Sequence, residues 1–235
     1  MNKLLTTLLP LAVASVTGLA MAQAAKPAAP SPAPARAAAP AGTGSIESKI
    51  AMCVGCHGIK GYQATFPEVY KVPKISGQGA KYIAAALTAY RQGERRHPTM
   101  RGIAGSLSDQ DINDIAAYYS THGHEEGQPL PEKAGKEPSA QVAPLLQKAN
   151  CVSCHGANFA KPIDPSYPKI AGQHADYLFV ALKAYKTENN PTVGRSNGIM
   201  GAIAKQFSNA ELKALAGYVS SLDGDLKTVP EQRFR

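Results

Sequence analysis

Cys53-Val-Gly-Cys-His-Gly58 and Cys151-Val-Ser-Cys-His-Gly156 hold all four cysteines of the 235-residue chain. Each pair has the spacing C-x-x-C and is followed at once by a histidine. The chain has six histidines, so finding one behind each pair asks for a chemistry that uses all three side chains together.

Working outward from the two hexamers, a repeat emerges. Pro73-Lys-Ile-Ser-Gly-Gln78 returns as Pro168-Lys-Ile-Ala-Gly-Gln173, and Tyr82, Leu87 and Tyr90 return as Tyr177, Leu182 and Tyr185. Met100, Ile103, Ala104, Ser108, Ile112, Ile115, Tyr118 and Ser120 correspond to Met200, Ile203, Ala204, Ser208, Leu212, Leu215, Tyr218 and Ser220. The offset changes slightly from block to block, as short loop insertions would make it. Two copies are too few for a solenoid and indicate a tandem duplication of one compact domain.

The periodicity within each copy is helical. Ile112, Ile115, Ala116 and Tyr119 fall at i, i+3, i+4 and i+7, as do Leu212, Leu215, Ala216 and Val219. Ser108 with Asp111, and Ser208 with Glu211, have capping-box spacing at the starts of these last helices. A middle helix is expected near 80–92 and 175–187, and a shorter one leads into each cysteine pair. No alternating strand or hairpin pattern stands out, so the expected fold is all-α: two tandem small helical bundles. The seam EEGQPLPEKAGKEP, Glu125 to Pro138, is charged and rich in Pro and Gly. It divides a first domain, 45–125, from a second, 139–235, with 126–138 as linker. Each is small for an unaided hydrophobic core, so something else is expected to fill its centre.

Residues 1–24 read as a signal peptide: Lys3, an apolar run interrupted by Thr, Ser and Pro10, then the small-x-small site Ala22-Gln23-Ala24. The run is short and polar-flecked for a bilayer span, although a retained anchor is the competing reading. Residues 25–44 are Ala and Pro with almost no large apolar side chain, an extended tether that cannot bury a core. The expected location is therefore the periplasm.

C-x-x-C-H is the attachment signature of c-type haem. The two thiols add across the vinyl groups, and the adjacent imidazole is a strong axial ligand for iron. A zinc site built from Cys53, Cys56, Cys151 and Cys154 would leave both histidines idle. Structural disulfides leave the histidines unexplained, and a thioredoxin-type pair expects a βαβ setting that is absent. Two covalently bound haem c groups are the expected cofactors, attached at Cys53 and Cys56 and at Cys151 and Cys154. His57 and His155 are the expected proximal iron ligands.

For the sixth position Met52, Met100, Met200, His97, His122, His124 and His174 compete. A duplicated site should have a duplicated ligand, and of these only Met100 and Met200 correspond. The competing reading makes each a gap-filling core methionine. With His and Met on the two faces, the iron has no open position for oxygen, peroxide or substrate, and Met raises the reduction potential relative to a second His. The chain is then an electron carrier and not an enzyme.

On the doubled CxxCH, PKI[SA]GQ and Met pattern, the sequence from about residue 45 onward resembles the cytochrome c4 family, exported proteins of two class I cytochrome c domains. The resemblance implies that the haem propionates of the two domains approach one another and that electrons pass between the haems. It implies a periplasmic carrier delivering electrons from a respiratory donor toward a terminal oxidase, often in loose association with the membrane. It also implies that the carbonyls of Pro73 and Pro168 orient the proximal imidazoles. The Ala/Pro tether departs from the family's compact pattern.

The formal charge is +8. The basic run from Arg91 to Arg101, around Met100, could pair propionates, steer an acidic partner or be a solvated loop. Nucleic-acid binding is not expected, nor is a small-molecule substrate. The alternative function is the cytochrome subunit of a periplasmic dehydrogenase that oxidises sulfide or an alcohol. A dihaem peroxidase would need one displaceable ligand, against which the paired Met100 and Met200 argue.

Overall fold

The structure is a computed structural model and describes residues 44–124 and 129–231. The expected signal peptide and most of the tether lie outside the described residues.

In the first half, α1 (Ile46–His57) is capped by Ser45, whose hydroxyl accepts from Ser48 N–H, and it runs unbroken into the CxxCH. β1 (Gln63–Ala64) and β2 (Tyr70–Lys71) form a small antiparallel ladder. α2 (Ala80–Gln92) ends at Gly93 in the left-handed region. β3 (Arg95–Arg96) leads to α3 (Pro98–Gly105) and then α4 (Asp109–Thr121). The second half repeats the plan with α5 (Ala143–Ala149), α6 (Val152–His155), α7 (Ala175–Lys186), β4 (Gly194–Arg195), α8 (Gly198–Ala204) and α9 (Asn209–Ser220). Both capping boxes form, with Ser108 and Asp111 on α4 and Ser208 and Glu211 on α9.

The strands were not legible in the sequence. Each spans two residues, too few for an alternating pattern. Moreover, β3 pairs antiparallel with β4 of the other half, so no local turn announces it. The helix leading into the second cysteine pair also differs from the first, because Asn150 (φ 47°) breaks it between α5 and α6.

Each half has its own apolar cluster. Ile50, Val54, Ile83, Leu87, Ile112, Ile115 and Tyr119 form the first, and Phe159, Leu178, Phe207, Leu212, Leu215 and Val219 belong to the second. Leu130 and Ala134, from the expected linker, pack against the second cluster. Asn158 donates to Pro131 O, and the Tyr218 hydroxyl to Lys136 O.

The halves meet face to face. Besides the β3–β4 ladder, the Asp176 carboxylate accepts from Lys71 N–H, and Lys183 pairs with Glu68. The segment after α9 crosses back over the first half. Lys227 N–H donates to Ser76 O, and the Tyr118 hydroxyl donates to the Glu231 carboxylate. Among the described residues no helix is long and apolar enough to cross a membrane.

Candidate haem sites

α1 and α6 carry the two CxxCH runs into one continuous, largely apolar cavity of about 720 Å³ at the join of the halves. Cys53, Cys56, His57 and Met100 line it from the first half, and Cys151, Cys154, His155 and Met200 from the second. The structure therefore brings all eight of these predicted site residues to one cavity. The four thiols are free. Burial pushes Cys53 and Cys151 up to about 11, so both are held as neutral thiols at an apolar wall.

His57 Nδ1 lies 2.8 Å from Pro73 O, and His155 Nδ1 lies 3.0 Å from Pro168 O. A carbonyl can only accept, so both rings carry their proton on Nδ1 and keep the Nε2 lone pair for the cavity. Burial holds both imidazoles below their usual pKa, against the opposing pull of the proline carbonyls. A neutral ring with a free Nε2 is the form that binds a metal.

Met100 and Met200 sit in the first turns of α3 and α8. His97 Nδ1 caps the first by accepting from Met100 N–H, and Asn197 Oδ1 caps the second by accepting from Met200 N–H. The aligned His97 and Asn197 thus share one task, placing the methionine helix. His122 is occupied elsewhere, with Nδ1 on the Ser76 hydroxyl.

Of two further cavity residues, the sequence reading had Arg95 only as part of the basic run and did not name Arg195. Arg95 and Arg195 face each other directly in the β3–β4 register, and both line the cavity. Arg95 donates to the Tyr82 hydroxyl at 2.7 Å and Arg195 to the Tyr177 hydroxyl at 3.0 Å. Tyr90 and Tyr185 complete the ring of aromatic faces around them. Among the described residues, no carboxylate lies within ion-pair distance of either guanidinium. Burial opposes ionisation of these tyrosines, yet Arg195 and Arg95 together pull the Tyr177 and Tyr185 hydroxyls below their usual range, and like charges directly opposite on a ladder repel. A cation partly withdrawn from water favours a counter-charge beside it. The signal for this pair was available, since Arg95 and Arg195 stand at equal distances before Met100 and Met200.

The basic run is therefore not a solvated loop. Arg91 binds Asp109 and Leu107 O, Arg95 turns inward, and Arg96 reaches Val193 O of the second half.

These residues fit two haems. Thiols for the vinyl groups, an Nε2 and a thioether for each iron, apolar walls for the ring and two guanidiniums with no carboxylate partner among the described residues for the propionates all face one space. The Tyr119 hydroxyl, buried without a hydrogen-bond partner, is a further polar atom on the cavity wall.

Comparison with known proteins agrees with this geometry. The family model described as Cytochrome c matches twice, over residues 48–122 and 139–223. Cytochrome c4 of Stutzerimonas stutzeri is 31% identical over 187 residues, covering 75% of this chain and 87% of the relative. The thiosulfate dehydrogenase electron acceptor of Stutzerimonas stutzeri (strain A1501) is 31% identical over 184 residues, covering 72% of this chain and 78% of the relative. The crystal structure of reduced recombinant cytochrome c4 from Pseudomonas stutzeri superposes with a TM-score of 0.54 at 26% identity, covering 78% of this chain and all of that one.

Proposed function

Because the chain belongs to the cytochrome c4 family, electron carriers with two tandem cytochrome c units and two covalent haem c groups, we propose that it carries electrons in the periplasm from a respiratory donor to a terminal oxidase. The observation that supports this reading is the pairing of a His with free Nε2 and a helix-capped Met in each half of one apolar cavity.

When bound, each haem supplies a one-electron Fe(III)/Fe(II) couple. The protein's own residues do the rest. His57 and His155, oriented by Pro73 and Pro168, would offer Nε2 to the two irons. Met100 and Met200 would offer their thioethers from the same cavity, leaving no open position for a substrate. The apolar walls exclude water, so little solvent reorganises when charge moves. Arg95 and Arg195, paired across the β3–β4 ladder where the halves meet, would hold the propionates there and so favour transfer between the two haems. The fit to propionates is one of charge.

A second reading keeps the carrier chemistry and changes the donor. The relative named as the electron acceptor of thiosulfate dehydrogenase favours a chain that takes electrons directly from a sulfur-oxidising dehydrogenase. Loose association with the membrane is compatible with either.

Two measurements test the proposal. A denatured-haem assay should give two covalent haems per chain, with one or none overturning the site assignment. The reduced protein should then be oxidised by a terminal oxidase at rates that support turnover. Reduction by thiosulfate dehydrogenase without exchange with the oxidase would favour the second reading.

A further inference from the structure

The repeated PKI[SA]GQ motif reaches the proximal histidines by a route that crosses between the halves. The peptide group joining Pro73 to Lys74 is engaged at both ends. Its carbonyl accepts from His57 Nδ1 at 2.8 Å, and its N–H donates to Gln173 Oε1 at 3.0 Å. Gln173 belongs to the other half. Its Nε2 donates to Lys74 O at 2.9 Å, and its Oε1 is held further by His174 N–H at 3.0 Å.

The arrangement is reciprocal. The Pro168–Lys169 peptide accepts from His155 Nδ1 at 3.0 Å and donates to Gln78 Oε1 at 2.9 Å. Gln78 Nε2 donates to Lys169 O at 2.9 Å, and Gly79 N–H fixes its Oε1 at 3.0 Å. Both glutamines are 4% exposed.

The glycine before each glutamine makes this reach possible. Gly77 (φ 84°) and Gly172 (φ 69°) adopt left-handed backbone, and a Cβ on Gly77 would lie 2.6 Å from Asp225 O. Each loop is tied to the last helix of its own half, through Gly77 N–H to Tyr119 O and Gly172 N–H to Val219 O. The two lysines lock the exchange, Lys74 Nζ on Gly172 O and Lys169 Nζ on Gly77 O.

We propose that Gln78 and Gln173 are positioning residues that act across the interface, each fixing and polarising the peptide that holds the other half's proximal histidine and so setting the other half's reduction potential. A peptide whose N–H is engaged is a stronger acceptor at its carbonyl. A stronger bond from the imidazole Nδ1–H makes Nε2 a better donor to iron, which favours Fe(III) and lowers the potential. Because the route is crossed, each haem's potential depends on docking with the other half. By linkage, oxidation of either iron then tightens the docking.

The inference rests on His57 and His155 as axial ligands, and its test separates the two claims. The full holo-chain is titrated electrochemically, with the two haems resolved by their methyl proton resonances, and the difference between their potentials is followed. Gln173→Leu is expected to shift the first-half haem's Fe(III)/Fe(II) ratio roughly two- to fivefold toward the reduced form at fixed ambient potential, less than removal of a direct outer-shell partner would. Gln78→Leu is expected to shift the second-half haem likewise, so the difference moves in opposite directions in the two variants. Gln173→Glu, which keeps the acceptor for Lys74 N–H but loses the donor to Lys74 O, should shift the difference less than Gln173→Leu and gives a readout if the leucine variant folds poorly. The His57 Nδ1–H resonance should move in Gln173→Leu while that of His155 stays. Equal shifts of both haems, a larger shift in the substituted half, or no shift would overturn the inference. Loss of a haem's low-spin six-coordinate spectrum in the unsubstituted protein would instead count against the ligand assignment.

Discussion

The two halves share a site and differ in what supports it. Cavity-lining thiols, proximal His, proline carbonyl, capped Met and inward Arg recur in both. The supports have diverged. α1 runs unbroken to His57, while the second half breaks at Asn150 before α6. The capping box of α4 lies buried, and Asp111 in it also pairs with Lys49 of α1; the equivalent Ser208–Glu211 box is exposed. Tyr119 places an unpartnered hydroxyl at the cavity where the second half has Val219. His122 reaches Ser76, whereas the equivalent Leu222 is buried in its own core. What the duplication retained is the set of side chains and contacts that line the cavity. What drifted is how each helix is fastened, where several solutions have similar free energy.

The largest test of this likeness is removal of each methionine. Met100→Ala and Met200→Ala should each lower the potential of their own haem by on the order of 0.2 V and open that iron to carbon monoxide. A variant that keeps its six-coordinate spectrum would show that its half does not use Met.

The difference in supports should appear next, in acid. Hydrogen bonds from Ser108, with Lys49 adding to them, hold Asp111 down to about 2, against an unfolded carboxyl near 3.9. Its stabilisation is fully present above pH ~4 and is lost as pH falls toward 2. Asp111→Asn should flatten that part of the acid-unfolding profile. An unchanged profile would mean that the buried pair does not distinguish the halves.

Smaller still, Ser108→Ala should cost about 1 kcal/mol in denaturant titrations, and the exposed Ser208→Ala about 0.5 kcal/mol. Equal costs would remove burial as the reason for the difference. The smallest effect is expected for His97→Asn, which gives the first half the second half's cap. Helix stability should change by no more than a few tenths of a kcal/mol. A large loss would assign His97 a role beyond capping, through its Nε2 contact with the Tyr70 hydroxyl at 3.0 Å.

The helices and the cavity residues were legible because their signals are local. Apolar spacing marks α4 and α9, Ser at the N-cap marks their starts, and CxxCH marks the attachment sites. The repeat added pairing information, which is how Met100 and Met200 stood out. The interface was not legible, because its hydrogen bonds join residues far apart in sequence. Lys74 and Gln173 are separated by 99 positions, and nothing local to either predicts the other. A glutamine repeated in a motif was visible, but its recurrence reads equally well as part of a loop that serves its own half. Arg95 and Arg195 were also visible as a repeated pair. That they face each other across a ladder became evident only when the two halves were brought together.

The segment from Leu226 to Glu231 has a consequence for assembly order. The part of a chain that emerges first tends to fold first. Here the surface of the first half around Ser76 and Tyr118 is finished by the last described residues of the second half, with Glu231 arriving 113 positions after Tyr118. A first half that emerges ahead of the second would therefore stay incompletely covered until the second follows, and would depend during that interval on whatever holds back premature association. Ligation of the linker's cut ends would not be needed for cohesion either: once both halves are present, this crossing segment joins them through Lys227 and Glu231 independently of the peptide between them.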